Sequence, residues 1–167
     1  MTVEVMLRTI PVEHVTIVSS TPFADVRDKL ETLVPRLDRT IVDSLNNDEE
    51  DEVAAYEQYG PKLSIFLERD HGALLETFGG ARNAIQYEIG NPLTAATMTR
   101  YRLDAALYAP LRVMLYENAV GLSVIEYDRP SSLFGQFGDE RITEVGRDLD
   151  ESLEAVLNDA VSTEIAA

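Results

Sequence analysis

The stretch of chain that decides the fold is residues 111–128, which read LRVMLYENAVGLSVIEYD. Two runs rich in apolar residues, Leu111–Glu117 and Leu122–Asp128, flank the four residues Asn-Ala-Val-Gly. A connection this short that contains a glycine is typical of an antiparallel hairpin. We therefore predict two antiparallel strands here, and we expect one of them to lie at a sheet edge that a second copy of the chain covers.

Further strands and two long helices surround this hairpin in the sequence. Strands are predicted over 12–19, which is rich in β-branched residues, over 63–68, and over 83–89, where apolar and polar residues alternate. Two helices are predicted, one that starts at Thr21-Pro22 and one that Asp139 caps. Their apolar stripes are Phe23, Val26, Leu30, Leu33 and Leu37, and Ile142, Val145, Leu149, Leu153 and Val156. These elements predict an α+β fold with two long helices packed on one face of an antiparallel sheet.

The remaining segments predict minor elements within a single domain. We expect an acidic loop and short helix over 46–60, a helix over 94–106, and a loop with apolar anchors over 129–138. No linker or internal repeat interrupts the 167 residues, which is the usual size of one domain. We therefore predict one domain over 1–167, with its core over 11–158 and a frayed tail over 162–167.

The charge balance argues against several classes of partner. The chain has 14 basic and 30 acidic residues, which gives a net charge of −16. Binding to nucleic acid needs clustered Lys and Arg, so we predict no nucleic-acid partner. The amino terminus lacks the pattern of a signal peptide, and no stretch approaches the roughly 20 apolar residues that cross a bilayer. We therefore expect a soluble, cytoplasmic protein with no membrane partner.

Metal and cofactor motifs are not found in the sequence. There is no cysteine, and the two histidines, His14 and His71, lie far apart with no recognisable ligand spacing. The acidic run over 46–52 lacks the spacing and the turn glycine of a calcium loop. No phosphate loop, dinucleotide-binding glycine pattern or nucleophile elbow occurs. We predict no metal and no cofactor.

His71 is the best candidate for a catalytic residue. It follows Asp70 at the end of a predicted strand, and a scaffold holds such strand-end residues in place. An imidazole titrates near neutral pH and serves as a general acid or base, with Asp70 or Asn91 to orient it. The alternative is that His71 bonds local backbone, and the residues leave both open. Packing or solvent exposure explains His14.

Several aromatic residues lie on or beside the predicted strands. Their rings either fill the core or line a pocket between the sheet and the helices. If such a pocket exists, we expect its ligand-binding residues to be His71, Asn91, Met98, Tyr87, Tyr116 and Tyr127.

Four segments together resemble a known family. They are Asp70-His71, Ile89-Gly90-Asn91-Pro92 with Met98, Ala109-Pro110-Leu111-Arg112-Val113, and Tyr127-Asp128-Arg129-Pro130-Ser131. Over Val15 to Leu157 the chain is similar to the bacterial and archaeal family called domain of unknown function 302. The resemblance implies a fold of the TATA-binding-protein type and a homodimer. It implies neither DNA binding nor any particular reaction.

Three functions are compatible with these residues. The first is a binding protein that holds a small apolar or amphipathic molecule between the sheet and the helices. The second is an enzyme that uses His71 as general acid or base on a small organic substrate. The third is a homodimeric assembly protein that needs no ligand.

Overall fold

The computed structural model describes residues 2–47 and 49–162, which form a five-stranded sheet flanked by helices. The strands are β1 (His14–Ser19), β2 (Ser64–Asp70), β3 (Ala84–Gly90), β4 (Leu111–Glu117) and β5 (Ser123–Asp128). Their order in the sheet is β1-β5-β4-β3-β2, and every neighbouring pair is antiparallel. The predicted α+β class and the hairpin are confirmed. The expected edge position of the hairpin is wrong, because β1 and β3 pair with its outer sides and leave β1 and β2 as the edges.

The helices are α1 (Phe23–Leu33), α2 (Arg39–Asn46), α3 (Glu50–Tyr59), α4 (His71–Leu74), α5 (Pro92–Thr99), α6 (Pro130–Phe134) and α7 (Glu140–Val161). Two of them, α1 and α7, pack on the same face of the sheet. Leu33 and Leu37 of the stripe predicted for α1 do not join the core, because Leu33 is 38% exposed and Leu37 lies beyond the end of the helix. Three short 3₁₀ turns follow α4, α5 and α6, over Leu75–Phe78, Leu103–Tyr108 and Gly135–Phe137 respectively. The core lies between α1, α7 and the inner residues of the sheet, among them Ile85, Tyr87 and Ile89.

Helix α7 starts as predicted, whereas α1 differs at both ends. The Asp139 carboxylate accepts a hydrogen bond from the backbone N–H of Arg141 and so caps α7. Helix α1 ends at Leu33, because the chain then runs extended beside β2, where the N–H of Leu37 donates to the carbonyl of Ile65. Thr21 does not cap α1, since its hydroxyl donates to the carbonyl of Val161 at 2.7 Å.

Several minor elements differ from the sequence-based expectations. The helix predicted over 94–106 divides into α5 and a 3₁₀ turn, and the loop predicted over 129–138 contains α6. Helix α3 begins at Glu50, inside the acidic run, because acidic residues stabilise the first turn of a helix. Position 48 of that run and positions 163–167 of the predicted frayed tail lie outside the described residues.

The antiparallel strands place two turns of the chain at opposite ends of the sheet. The Gly90-Asn91-Pro92 turn lies where β3 ends and β4 begins, and the Asp70-His71 turn lies where β2 ends and β3 begins. We call these the Asn91 end and the His71 end of the sheet. Over the described ranges, none of the helices is long and apolar enough to cross a bilayer. The finer likeness to the TATA-binding-protein type stays a prediction.

Candidate ligand-binding cavity

Asn91 fixes helix α5 at the Asn91 end of the sheet. Its Oδ1 accepts hydrogen bonds from the backbone N–H groups of Leu93 at 2.9 Å and Thr94 at 3.2 Å. Its Nδ2 donates to the carbonyl of Pro61 at 3.1 Å. Pro92 occupies the start of the helix, where its missing N–H has no consequence. Asn91 therefore joins β3, α5 and the segment after α3, and both of its polar side-chain atoms are engaged.

An apolar cavity of about 110 Å³ lies between α5, α7 and the sheet. Met98 of α5 and Leu149 of α7 face it, and both are buried, at 1% and 7% exposed. Phe66 enters it from a β-bulge in β2, where the pairing shifts by one residue. Its other large apolar walls are Ile89, Pro110 and Leu111. Among the residues that the structure describes, the polar ones in its wall are Asn91 and Thr94.

A wider and more polar groove of about 580 Å³ adjoins this cavity. The two share Asn91, Thr94 and Leu149 as common walls. The groove runs between the end of α3, helix α5 and helix α7. We call it the acidic groove, because three of the four charged residues in its walls are acidic; they are Glu57, Asp148 and Glu151, and the fourth is Lys62. An apolar cavity thus lies beside a charged groove.

One wall of the acidic groove contains a hydroxyl that lacks a partner. Tyr56, near the end of α3, lines the groove, and its hydroxyl oxygen is buried. Within residues 2–47 and 49–162 this oxygen has no hydrogen-bond partner. A buried hydroxyl without a partner costs about 1–3 kcal/mol.

The predicted ligand-binding residues do not all meet at this cavity. Asn91 and Met98 line it. Tyr127 is buried in the core, and Tyr116 lies on the other face of the sheet, where its hydroxyl donates to Glu126 at 3.1 Å. Tyr87 is also buried, and its hydroxyl donates to Glu31 of α1 at 2.9 Å. The structure therefore brings together two of the six residues.

Tyr87 belongs to a cluster of charged residues beneath α1. Arg27 donates to Glu31 at 2.9 Å and to Glu68 at 3.1 Å, and Arg36 also pairs with Glu68. Burial, together with the hydrogen bond to Glu31, raises the pKa of Tyr87. Burial opposes ionisation of Glu31, but the hydrogen bonds from Arg27 and Tyr87 outweigh it and lower the pKa of Glu31. The charges in this cluster are matched in pairs, which is typical of a structural network.

His71 lies at the opposite end of the sheet from the cavity. It is the first residue of α4, it is exposed, and it forms no part of the walls of the cavity or the acidic groove. The seven residues of β3 separate it from Asn91, a span of about 20 Å. Asn91 therefore does not orient the His71 ring. Asp70 instead caps α4, since its Oδ1 accepts a hydrogen bond from the N–H of Ala73 at 2.8 Å.

His14 takes part in a hydrogen bond that sequence reasoning missed. Its Nδ1 lies 3.0 Å from Oδ1 of Asp128 on the neighbouring strand, and its Nε2 lies 3.8 Å from Glu126. The hydrogen bond to Asp128 raises the pKa of His14. Across the described part of the chain, no group of three or more His, Cys, Asp or Glu residues is placed to hold a metal ion.

Sequence reasoning also missed most walls of the cavity and the groove. Phe66, Leu149 and Tyr56 come from three separate elements, and no short motif links them. The available signal was the Asn91-Pro92 pair, which predicts the start of a helix at the end of a strand. It locates α5, but not the elements that face α5.

Comparison with known proteins gives a family and a fold. The family model described as "Domain of unknown function DUF302" matches residues 54–160. The crystal structure described as uncharacterized conserved protein DUF302 from Bacillus stearothermophilus is similar to this chain, with a TM-score of 0.63 and 19% sequence identity. The match covers 88% of this chain and 97% of that one, and at this identity it shows a shared fold. No curated protein matches the chain.

Proposed function

The chain belongs to the family described as domain of unknown function DUF302, a description that states no activity, and we propose that it binds a small amphipathic molecule. The apolar part of the ligand occupies the cavity between α5 and α7, and its polar part lies in the acidic groove. The observation that carries this proposal is the position of the apolar cavity, which shares Asn91, Thr94 and Leu149 with a wider polar groove.

The size of the cavity limits the apolar part of the ligand. At about 110 Å³ it is smaller than the roughly 300–1,000 Å³ of most ligand pockets. It is closer to the dry apolar cavity of about 150 Å³ that is known to accept benzene. A single small ring or a short branched alkyl group is therefore the appropriate size. The rest of the molecule has the 580 Å³ of the groove.

Met98 suits the wall of such a cavity. Its unbranched side chain is polarisable and adapts its shape to different apolar groups. Asn91 has a different role, because its side chain already bonds the backbone of α5 and the carbonyl of Pro61. We therefore assign the contacts with the ligand to Met98, Phe66 and Leu149, and we assign the position of α5 to Asn91.

Two variants on the same helix test this proposal with benzyl alcohol as the probe. Ala95 lines the cavity, whereas its neighbour Ala96 is exposed. Ala95→Leu fills the cavity, and Ala96→Leu adds the same atoms on the outside of α5. We expect benzyl alcohol to shift the methyl NMR signal of Met98 in the wild type and in Ala96→Leu. The shift should disappear in Ala95→Leu.

Two results of the benzyl alcohol titration would contradict the proposal. If benzyl alcohol leaves the Met98 signal unchanged up to its solubility limit, the cavity does not bind such groups. If the shift persists unchanged in Ala95→Leu, the probe binds elsewhere. The thermal midpoint of each variant without probe shows whether the substitution itself disturbs the fold.

No specific contact favours the two other predicted functions. An enzyme that relies on His71 needs a substrate cleft beside the ring, and His71 is exposed at the other end of the sheet from the cavity. For homodimeric assembly, the hairpin is not the sheet edge on which that prediction rested. Both functions stay predictions, and the cavity gives neither of them support.

A further inference from the structure

Residues 2–9, which we call the arm, carry the pattern of a strand but pair with no other segment of the described chain. Apolar side chains recur at every second position, with Val3, Val5 and Leu7 on one face of an extended backbone. The whole arm is exposed, and Leu7 is 99% exposed. Within the described ranges its one hydrogen bond joins Arg8 to Gln136 at 3.0 Å. Apolar side chains in this arrangement are typical of a strand that lacks its partner.

Strand β1 provides an open edge that nothing in the described ranges covers. It pairs with β5 on one side, so its other side presents free backbone N–H and C=O groups. Its six residues, HVTIVS, contain no proline, lysine or bulge of the kind that protects natural edge strands. At the opposite edge, β2 has a bulge and Arg69, and Arg36 forms a parallel bridge to Ile65. Of the two edges, β1 is therefore the one suited to accept a strand.

The backbone of β1 determines which residues an added strand would bond. The N–H of Glu13 donates to Ser132 at 3.0 Å, and its C=O accepts from the N–H of Arg129 at 2.8 Å, so both groups of Glu13 point to the β5 side. In an antiparallel ladder the direction of these groups alternates from one residue to the next. The free groups at the open edge therefore belong to the even-numbered residues of β1, which are His14, Thr16 and Val18.

We propose that two copies of the chain exchange their arms, and that each arm pairs antiparallel with β1 of the other copy. If the chain runs extended through residues 10–13, the even-numbered residues of the arm turn their N–H and C=O groups to the same side as those of β1 do. A two-fold axis at Pro11 then places each arm beside β1 of the partner. Pro11 suits this axis, because an odd-numbered residue donates no hydrogen bond in this ladder. The inference is independent of the proposed ligand.

The apolar residues determine the register of this pairing. With the axis described, Leu7 lies beside Val15 of the partner subunit, and Val5 lies beside Ile17 of the partner subunit. Val15 and Ile17 are half-buried and pack against the core on the face of the sheet that the helices cover. The arm therefore extends an apolar face that already exists. A register shifted by two residues would place one of the three apolar residues of the arm beyond the ends of β1.

The charges at the open edge fit the same register. Arg8 lies beside His14 of the partner subunit on the outer face of the sheet. In each copy, Nδ1 of His14 lies 3.0 Å from Asp128, and its Nε2 lies 3.8 Å from Glu126. The guanidinium group of Arg8 is therefore placed near two carboxylates, which is electrostatically complementary. Since the arm holds one Glu and one Arg, it adds no net charge to a contact between copies that each carry −16.

Light scattering over a range of concentrations tests the dimer with the full chain. We expect a mass of twice 18.6 kDa at micromolar concentration. Leu7→Asp should raise the dissociation constant about a hundredfold, because the dimer then holds a charge at both of its apolar contacts. Leu74→Asp is the matched control, since Leu74 is 67% exposed and lies in α4, after β2 at the opposite edge. It should leave the mass unchanged.

The chain contains no cysteine, which permits a direct test of the register. Leu7→Cys combined with Val15→Cys places two thiols at a non-hydrogen-bonded pair, where the Cα atoms lie about 4.5 Å apart and a disulfide fits. We expect mild oxidation to produce a covalent dimer. Leu7→Cys combined with Thr16→Cys is the control, because Thr16 points to the other face of the sheet. It should produce little or no covalent dimer.

Three results would overturn the inference. The first is a wild-type chain that stays monomeric up to about 100 µM. The second is a dimer whose affinity Leu7→Asp leaves unchanged, because the contact then lies elsewhere. The third is a disulfide between positions 7 and 15 that forms within a single copy, because the arm then folds back on its own β1. The circular dichroism spectrum of Leu7→Asp should match the wild type, since the side chain that it replaces is exposed.

Discussion

Replacing Leu149 with alanine tests the packing of α7 against the sheet and the presence of the cavity together. Leu149 is 7% exposed and lines both the cavity and the acidic groove. The substitution removes three carbon atoms from an apolar site, which costs about 2.4 kcal/mol at roughly 0.8 kcal/mol for each buried group. The space that remains adds to this cost by an amount that depends on how far the surroundings collapse.

Leu153→Ala provides a comparison for the loss of stability that we expect from Leu149→Ala. Leu153 lies one turn further along α7, is 0% exposed, and faces neither the cavity nor the groove. A side chain that faces a void has fewer neighbouring atoms and so loses less dispersion energy when it is removed. We therefore expect Leu149→Ala to cost about 2–3 kcal/mol and Leu153→Ala about 3–5 kcal/mol.

Urea unfolding measures both values, with the slope of the transition as a check that the cooperativity is unchanged. For a domain of this size, a loss of 2–3 kcal/mol lowers the melting temperature by about 4–12 °C. Leu103→Ala is the control, because Leu103 is 84% exposed and its removal should change the stability by less than about 0.5 kcal/mol.

Two results would refute this reasoning. A cost below about 1 kcal/mol for Leu149→Ala would mean that this face of α7 does not pack on the sheet. A cost greater than that of Leu153→Ala would mean that Leu149 is fully surrounded and that the cavity is closed. In the expected case, benzyl alcohol should restore part of the stability of Leu149→Ala, because a ligand that binds only the folded state stabilises it.

Four further substitutions have outcomes that the contacts determine. Asn91→Ala should cost about 1–2 kcal/mol in urea unfolding, because it removes the cap of α5, and an unchanged midpoint would contradict that role. His71→Ala should alter the stability by less than about 0.5 kcal/mol, whereas Gly72→Ala should cost about 1–3 kcal/mol or more, because its Cβ would lie 1.7 Å from a backbone oxygen. If the two melt alike, the described turn is wrong. Tyr87→Phe should cost about 1–2 kcal/mol at neutral pH. Folding lowers the pKa of Glu31 from its ordinary value of 4.5, so the hydrogen bond from Tyr87 to Glu31 stabilises the fold above pH 4.5. This stabilisation is lost as the pH falls through the pKa of Glu31 in the folded state. The difference in stability between the wild type and Tyr87→Phe should therefore shrink in acid.

The sequence predicts those parts of the fold that depend on local periodicity. The alternation of Ile85, Tyr87 and Ile89 with polar residues identifies the buried face of β3, and all three are buried. The stripe that contains Leu149 and Leu153 identifies the face of α7 in the same way. Such patterns succeed because side-chain direction in a strand or a helix follows from the backbone geometry alone.

The parts that were missed depend on contacts between distant segments. The sequence of β1 does not determine whether this strand pairs with β2 or with β5, and the predicted edge position of the hairpin is wrong because β1 covers β5 and β3 covers β4. Tyr116 and Tyr127 both belong to the hairpin, yet they lie on opposite faces: Tyr127 pairs with Val113 and joins the core cluster with it, whereas Tyr116 pairs with Val124 and neither belongs to that cluster. The register of the hairpin decides this, and the strands alone leave it open. The bulge that turns Phe66 into the cavity is a local irregularity of the same kind.

The two turns that first indicated a catalytic site have the same structural role at opposite ends of the sheet. Asp70 is the last residue of β2 and caps α4, and Asn91 directly follows β3 and caps α5, each through a side-chain oxygen that accepts a hydrogen bond from the following backbone. Short polar residues at this position satisfy donors that a helix leaves open, so this pattern has a physical reason without catalysis. The difference lies in what each helix then covers. Helix α4 has four residues, of which His71 is exposed, whereas α5 has eight and buries Met98 over an apolar cavity. In the proposed function, the cap at Asn91 therefore acts indirectly, by holding the wall of the cavity, whereas Met98 and Leu149 would contact the ligand.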